Sequence, residues 1–393
     1  VRSRTGRFLA VMVGGAAAVM LAAPPAVADS IRDRQWHLTY LNVAQAQAVN
    51  QGEGVTVAVV DSGVNGSHPD LAGNVLPGVD VSGAGVPNGQ TDADGHGTGM
   101  ASLIAAHGHG GGDGVLGIAP KAKIYPIRNG VTGKIDPEFM AAGIDAAVKS
   151  GAKVISISES GSDDLRVRAA VQAALATDAV VVAGIGNKPD DKNWTPGAPG
   201  GFLPEAPAIY DGVVAVGATD QNGNAATSIG ITGNAMVLSA PGARIVSADK
   251  TGYAIGDGTS ASTAIVAGTA ALVRSKYPNL SAKEVVHRLT ATATDKGAPG
   301  RDPQYGYGIV NPVAALTADV PPAAPSATPT TQAPAPAPAT TGPTNAAGPD
   351  KVRPTRIITA AVIIGISAVV VLLAAGGVVA WLLLRRRGQP PAA

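Results

Sequence analysis

Short runs of apolar, largely β-branched residues recur through the middle of the chain: VTVAVV (55–60), KIYPI (123–127), KVISIS (153–158), AVVVA (179–183) and VVAVGA (213–218). Each suits a strand buried on both faces, and helix-like segments separate most of them, among them EFMAAGIDAAVK (138–149) and DLRVRAAVQAALA (164–176). Continuous apolar strands that alternate with helices require a mostly parallel sheet with helices on both faces. The expected fold class is therefore α/β, doubly wound. Later, SAKEVVHRL places Ser281 and Glu284 at capping-box spacing and starts another helix, in which His287 reads as a surface or packing residue. In such sheets the functional groups gather beyond the carboxyl ends of the strands.

The ends of the chain obey other rules. Arg2, Arg4 and Arg7 precede an apolar run, and Ala26-Val27-Ala28 supplies a small-x-small cleavage pattern, so residues 1–28 read as a signal peptide. Residues 357–384 carry no charge and exceed the roughly 20 residues that cross a bilayer, which predicts a transmembrane helix. Arg385-Arg386-Arg387 come immediately after, and export of the bulk of the protein leaves residues 385–393 as a cytoplasmic tail. Residues 319–350 are rich in Pro, Ala and Thr and lack large apolar side chains, as expected of an extended linker. What remains, residues 29–318, is long enough for one substantial core. Between Asp29 and Pro349 there are 20 Lys/Arg against 27 Asp/Glu, so the exported part is acidic and a nucleic-acid partner is not expected. There is no cysteine, which excludes a disulfide framework and a thiol nucleophile.

Within the domain, chemistry-bearing residues stand at predicted element ends. Asp61 comes directly after the first strand. His96 lies between glycines in TDADGHGTGMASLIAA, at the start of a helical pattern, where a positive dipole favours the neutral imidazole suited to a general base. Ser260 lies in GDGTSASTAI, where a hydroxyl could equally well cap the adjoining helix. Taken one at a time these residues could be ordinary caps and turns.

Taken together, Asp61-Ser62-Gly63, His96-Gly97-Thr98 and Gly258-Thr259-Ser260, in that order, resemble the motifs of the subtilisin-type serine peptidases, the subtilase family. Supporting matches are His68-Pro69-Asp70-Leu71, the run GVLGIAP (114–120) and the closing GYGIVN (306–311). The resemblance implies that Ser260 is the nucleophile, His96 the general base and Asp61 the residue that orients it. It also implies an oxyanion hole made of the Asn187 side chain and the Ser260 backbone N–H, and a substrate-binding strand at Ser158, Glu159 and Ser160. That chemistry requires no cofactor and no metal, and its substrate is a protein or peptide. The layout of signal peptide, peptidase domain, linker and anchor is similar to the mycosins, subtilases associated with type VII secretion. A secretion complex is then an expected partner, and the expected location is the cell membrane with the domain on the extracytoplasmic side.

The chain departs from the family pattern at several points. Ala264 stands four residues after the nucleophile where most subtilases have proline, Ile185 replaces a smaller residue, and Glu159 and Ser160 replace small or apolar ones. These changes imply a narrower or more acidic cleft and specific cleavage. They also keep open an alternative in which the domain is a weakly catalytic or non-catalytic scaffold bracing a secretion complex. An α/β hydrolase of the lipase kind would need the order Ser, Asp, His, which is absent. The loop HGHGGGDG offers few calcium ligands, Asp70 and Asp113 being too few on their own, and neither His107 nor His109 has an evident partner in sequence. His68 belongs to a loop motif outside the triad.

Overall fold

The computed structural model describes residues 30–130, 135–188 and 203–322. The signal peptide, the anchor, the tail and nearly all of the linker read from the sequence lie outside these residues. Among the described residues no helix is long and apolar enough to cross a membrane.

The described chain opens with short helices α1 (Ser30–Asp33), α2 (Trp36–Tyr40) and α3 (Val43–Val49). This segment is bound tightly to the rest of the domain: the buried Gln35 carboxamide donates to the Leu116 carbonyl (3.1 Å) and accepts from the Leu116 N–H (2.8 Å). Trp36 Nε1 donates to the Ala243 carbonyl at 3.1 Å. Then come β1 (Thr56–Asp61), β2 (Val79–Asp80), α4 (His96–Ala105), the hairpin β3 (His107–His109) and β4 (Asp113–Leu116), and β5 (Lys123–Arg128). The alternating part consists of α5 (Pro137–Lys149), β6 (Val154–Ile157), α6 (Leu165–Ala176), β7 (Val180–Gly184), β8 (Val214–Thr219) and β9 (Leu238–Pro241). The hairpin β10 (Ile245–Ala248) and β11 (Tyr253–Gly256) leads into α7 (Thr259–Lys276), α8 (Ala282–Ala291) and α9 (Pro312–Thr317). Local chemistry sets several of these starts. Asp136 and Asp164 accept the N–H two residues on at the heads of α5 and α6, and Ser281 and Glu284 complete the capping box of α8.

Seven strands form one parallel sheet in the order β2-β5-β1-β6-β7-β8-β9. Because side chains alternate along a strand, each interior strand feeds two cores. Val57, Val59, Val180, Val182, Val214 and Val216 join the cluster of α4 and α7, whereas Ala58, Val60, Val181, Ala183 and Ala215 join that of α5 and α6. Every residue of β6, β7 and β8 is buried, which is why these strands read as continuous apolar runs. Each fully buried valine contributes on the order of 1.5–3 kcal/mol.

Helix α7 is buried on all sides over almost its whole length, and it is built of small residues that let neighbours approach. At Gly268 an added Cβ would lie 2.8 Å from that of Ile118, so only glycine fits there. Buried threonines return their hydroxyls to the helix: Thr263 Oγ1 donates to the Thr259 carbonyl (2.8 Å) and Thr269 Oγ1 to that of Ile265 (3.0 Å). From β1 the chain moves to β5 on one side, and from β5 it crosses to β6 on the other. The carboxyl ends of β1 and β6 thus flank a topological switch point.

Candidate active site

Asp61 ends β1 at this switch point and is fully buried. Its Oδ1 accepts from the Ser62 N–H and from His96 Nδ1, each at 2.8 Å. With Nδ1 donating, the neutral ring keeps its basic lone pair on Nε2.

A residue that the motifs do not single out holds His96 in place. Asp92 accepts five donors: Ser62 Oγ (2.7 Å), the N–H groups of Asp94 (3.1 Å), Gly95 (2.9 Å) and Thr98 (2.7 Å), and the Thr98 hydroxyl. Ser62 Oγ in turn accepts from the Gly97 N–H at 3.0 Å, so one buried carboxylate ties the head of α4 to the end of β1. Gly95, before His96, has φ +104°, and a Cβ there would fall 1.8 Å from Asp249 Oδ1. The spacing of Asp92 from the helix start is the available signal. An aspartate ahead of a helix is too common to stand out.

The His96 side chain is 22% exposed. Burial lowers its pKa, but the Asp61 carboxylate and, behind it, Glu159 outweigh burial and lift it to about 9. The dipole of α4, taken alone, predicts a neutral ring; the Asp61 carboxylate reverses that preference. Glu159 is 5% exposed and neither of its oxygens has a hydrogen-bond partner. Burial first, and then the negative charge of Asp61, push its pKa up to about 9. Its side chain lies inward beside Asp61, His96 and Asn129 and does not form a cleft wall, so a contact with substrate at this position would come from its backbone.

Ser260 is the second residue of α7. Its hydroxyl donates to the Ser158 carbonyl at 2.9 Å, and Ser158 Oγ donates back to the Ser260 carbonyl at 3.2 Å. The hydroxyl proton is therefore engaged away from His96 in this state, and a jump between staggered rotamers would free it. Asn187 lies just past the end of β7. Its Oδ1 accepts from the Thr259 N–H (2.9 Å) and hydroxyl (3.1 Å). Because a backbone N–H can only donate, the amide oxygen must face α7, which leaves Nδ2 as a donor into the cleft. The Ser260 N–H belongs to the first turn of α7, where helix geometry supplies no acceptor. His96, Met100, Asn187, Ile245, Gly258 and Ser260 line one cavity of about 250 Å³.

The remaining histidines do other work. His68 Nε2 meets the Gly252 carbonyl (3.2 Å) and its Nδ1 accepts from the Asp70 N–H (3.2 Å). His109 has a partner after all, Asp70, with Nδ1 to Oδ1 at 2.5 Å. His107 is held by the carbonyls of Gly108 (2.6 Å) and Ala72 (3.0 Å), and His287 by that of Pro321 (3.1 Å). Asp70 Oδ2 accepts from the Val115 N–H at 2.8 Å. Arg32 donates to the carbonyls of Asp113 (2.9 Å) and Gly114 (3.1 Å). Among the described residues no group of three or more His, Cys, Asp and Glu could hold a metal ion.

Residues 52–308 match the subtilase family (peptidase S8). Mycosin-1 of Mycolicibacterium smegmatis is 33% identical over 344 residues, 75% of each chain, and subtilisin DY of Bacillus licheniformis is 37% identical over 277 residues, 69% of this chain and 93% of that one. A crystal structure of MycP1 from Mycobacterium smegmatis is similar at a TM-score of 0.64 and 32% identity, over 75% of this chain and 87% of that one. A chain of an intact ESX-5 inner membrane complex reaches 0.65 and 33%, over 92% of each.

Proposed function

The chain belongs to the subtilase family and is a subtilisin-type serine endopeptidase related to the mycosins, and on that premise we propose that Asp61, His96 and Ser260 are its catalytic triad, acting through an acyl-enzyme. Ser260 Oγ attacks the scissile carbonyl while His96 Nε2 takes its proton. His96 then returns the proton to the leaving amine, and water attacks the ester by the same route. Asp61 keeps Nδ1 protonated and stabilises the imidazolium. Asn187 Nδ2 and the Ser260 N–H meet the negative oxygen, a bond that gains strength chiefly in the transition state. The substrate backbone lies along residues 158–160. The reading rests above all on the 2.8 Å bond from His96 Nδ1 to Asp61, which directs the basic nitrogen toward the cavity shared with Ser260.

The protein acts on a narrow set of proteins or peptides as part of a type VII secretion system. Its apolar C-terminal segment holds the domain on the outer side of the cell membrane. The test is a serine-directed phosphonate probe applied to the detergent-solubilised full chain. Labelling at Ser260, abolished in Ser260→Ala, is expected. A protein that neither reacts nor cleaves any peptide of a diverse library is not an active peptidase.

A second role, bracing a secretion complex, is supported by the similarity to a chain of the ESX-5 inner membrane complex and by the turned-away Ser260 hydroxyl. Secretion that survives Ser260→Ala but not removal of the domain would assign the cellular role to the scaffold.

A further inference from the structure

Helices α1, α2 and α3 are four, five and seven residues long, too short to enclose a side chain by themselves. Yet His37 of α2 has no exposed surface, so the body of the domain supplies its burial. Neither of its ring nitrogens has a hydrogen-bond partner. A neutral imidazole carries one donor and one acceptor, and leaving both orphaned already opposes docking of the segment.

The two residues before His37 hold the segment down. Gln35 Nε2 donates to the Val246 carbonyl at 3.4 Å, and Trp36 Nε1 to that of Ala243 at 3.1 Å. These carbonyls flank Ile245, and Ile245 and Ser247 line the cavity that holds His96 and Ser260. Residues 30–49 are thus a strap tied to one wall of that cavity, with an unpartnered histidine sealed beneath it.

We propose that His37 makes the strap acid-releasable: a second proton on the ring, for which the buried site offers no acceptor, frees α1–α3 from the body of the domain and from the cavity wall. The imidazolium has two donors and a charge to place where the neutral ring already lacks partners. Burial alone holds the docked ring down to about 3, and no charged group of the strap, Arg32, Asp33 or Arg34, nor of the elements beneath it contributes. Tyr40, a turn further on, responds to Asp220 and Tyr305 and not to the ring. Once undocked, the ring returns to the ordinary value of 6.5. Docking is therefore at full strength above about pH 6.5. It weakens about tenfold for each unit that the pH falls, until the docked ring itself titrates.

The chain has no cysteine, so one introduced thiol reports alone. Ala46→Cys places it on α3 and Ala174→Cys on α6, outside the strap; both positions are fully buried. Labelling of the detergent-solubilised full chain with dithiodipyridine, normalised to the urea-unfolded chain at the same pH, gives the opening constant at each position. Opening at position 46 should rise about tenfold per unit from pH 6 to pH 4 while that at position 174 stays the same. In His37→Met, which fills the space with an apolar chain, and in His37→Leu, opening at position 46 should no longer depend on pH. Unchanged circular dichroism checks that both variants fold. A pH dependence that persists in both variants overturns the proposal. So does an equal rise at positions 46 and 174, which would mean that acid unfolds the domain as a whole, and so does a flat response in the chain that keeps His37.

Discussion

Among the described residues, two buried aspartates each hold a histidine by the same pair of atoms. Asp61 Oδ1 meets His96 Nδ1 at 2.8 Å, and Asp70 Oδ1 meets His109 Nδ1 at 2.5 Å, both carboxylates being wholly buried. As isolated pairs they are hard to tell apart. Their surroundings differ completely. The first shares a cavity with a hydroxyl at the head of a helix and with a carboxamide that can meet a developing charge. The second lies against a glycine-rich hairpin, its other oxygen taken by the Val115 N–H and the nearby carbonyls by Arg32. A histidine with its aspartate is thus a means of fixing a ring. Whether the ring does chemistry depends on what its free nitrogen faces.

The sharpest way to break this contrast is to remove one member of the proposed triad. Alanine at Ser260, His96 or Asp61 should lower kcat by roughly 10⁴- to 10⁶-fold with the fold intact, and paired substitutions should lose little more than the worse single one, because the three act as a unit. Circular dichroism and steady-state kinetics on the same samples check both halves. Losses that add in free energy would mean no such unit exists. Next in size, Asn187→Ala should lower kcat by about 10²- to 10³-fold with KM little changed, about 2.7–4 kcal/mol, as expected of a donor that matters in the transition state.

A smaller effect concerns protonation. With the His96 pKa lifted to about 9, the base form is the minor one at neutral pH, so kcat/KM should climb as pH rises toward that value. A negative neighbour favours the imidazolium, and Glu159 becomes one only as pH approaches its own raised pKa. With its own pKa pushed up to about 9, Glu159 is a neutral acid at pH 7, so Glu159→Gln should leave the rate at pH 7 close to that of the wild type and change the profile only near pH 9. A large change in rate at pH 7 would show that Glu159 is ionised there. The smallest effect belongs to the other pair. His109→Asn should leave kcat at the wild-type value and lower stability by about 1–3 kcal/mol, since the buried Asp70 carboxylate loses a partner. A fall in kcat like that of the first pair would erase the distinction between them.

The strands are readable in sequence because a strand buried on both faces leaves a continuous apolar run, and β1, β5, β6, β7 and β8 begin and end within about one residue of those runs. Strands β3 and β4 are not, since glycine and histidine carry no strand preference and the pairing is set by contacts with Asp70 and Arg32. Nor is β9: LSAP is short, and its neighbour β8 gives it order. The triad candidates can be named because each carries its own glycine-bearing turn. Asp92 cannot, because its role consists of bonds to Ser62, 30 residues away, and to backbone donors that any acid could meet. The bond between His109 and Asp70 spans 39 residues, and no local pattern marks it. The helix dipole alone gives the wrong direction for the His96 shift, since the Asp61 carboxylate that reverses it is brought to the ring across 35 residues by the fold.

The separations within the active site bear on when the enzyme comes into being. His96 meets Asp61 across 35 residues, Asn187 meets Thr259 across 72, and Ser158 meets Ser260 across 102. Helix α7, which carries Ser260, packs against β6, β7, β8, β9 and α4 at once. No fragment that stops short of α7 contains Ser260, and no chain that has yet to seat α7 holds it in the cavity with His96. A chain being synthesised, or threaded in extended form through a narrow passage, therefore has no means of digesting itself or its surroundings. The proposed triad is complete only once the last long helix of the sheet layer is in place and the whole domain has closed.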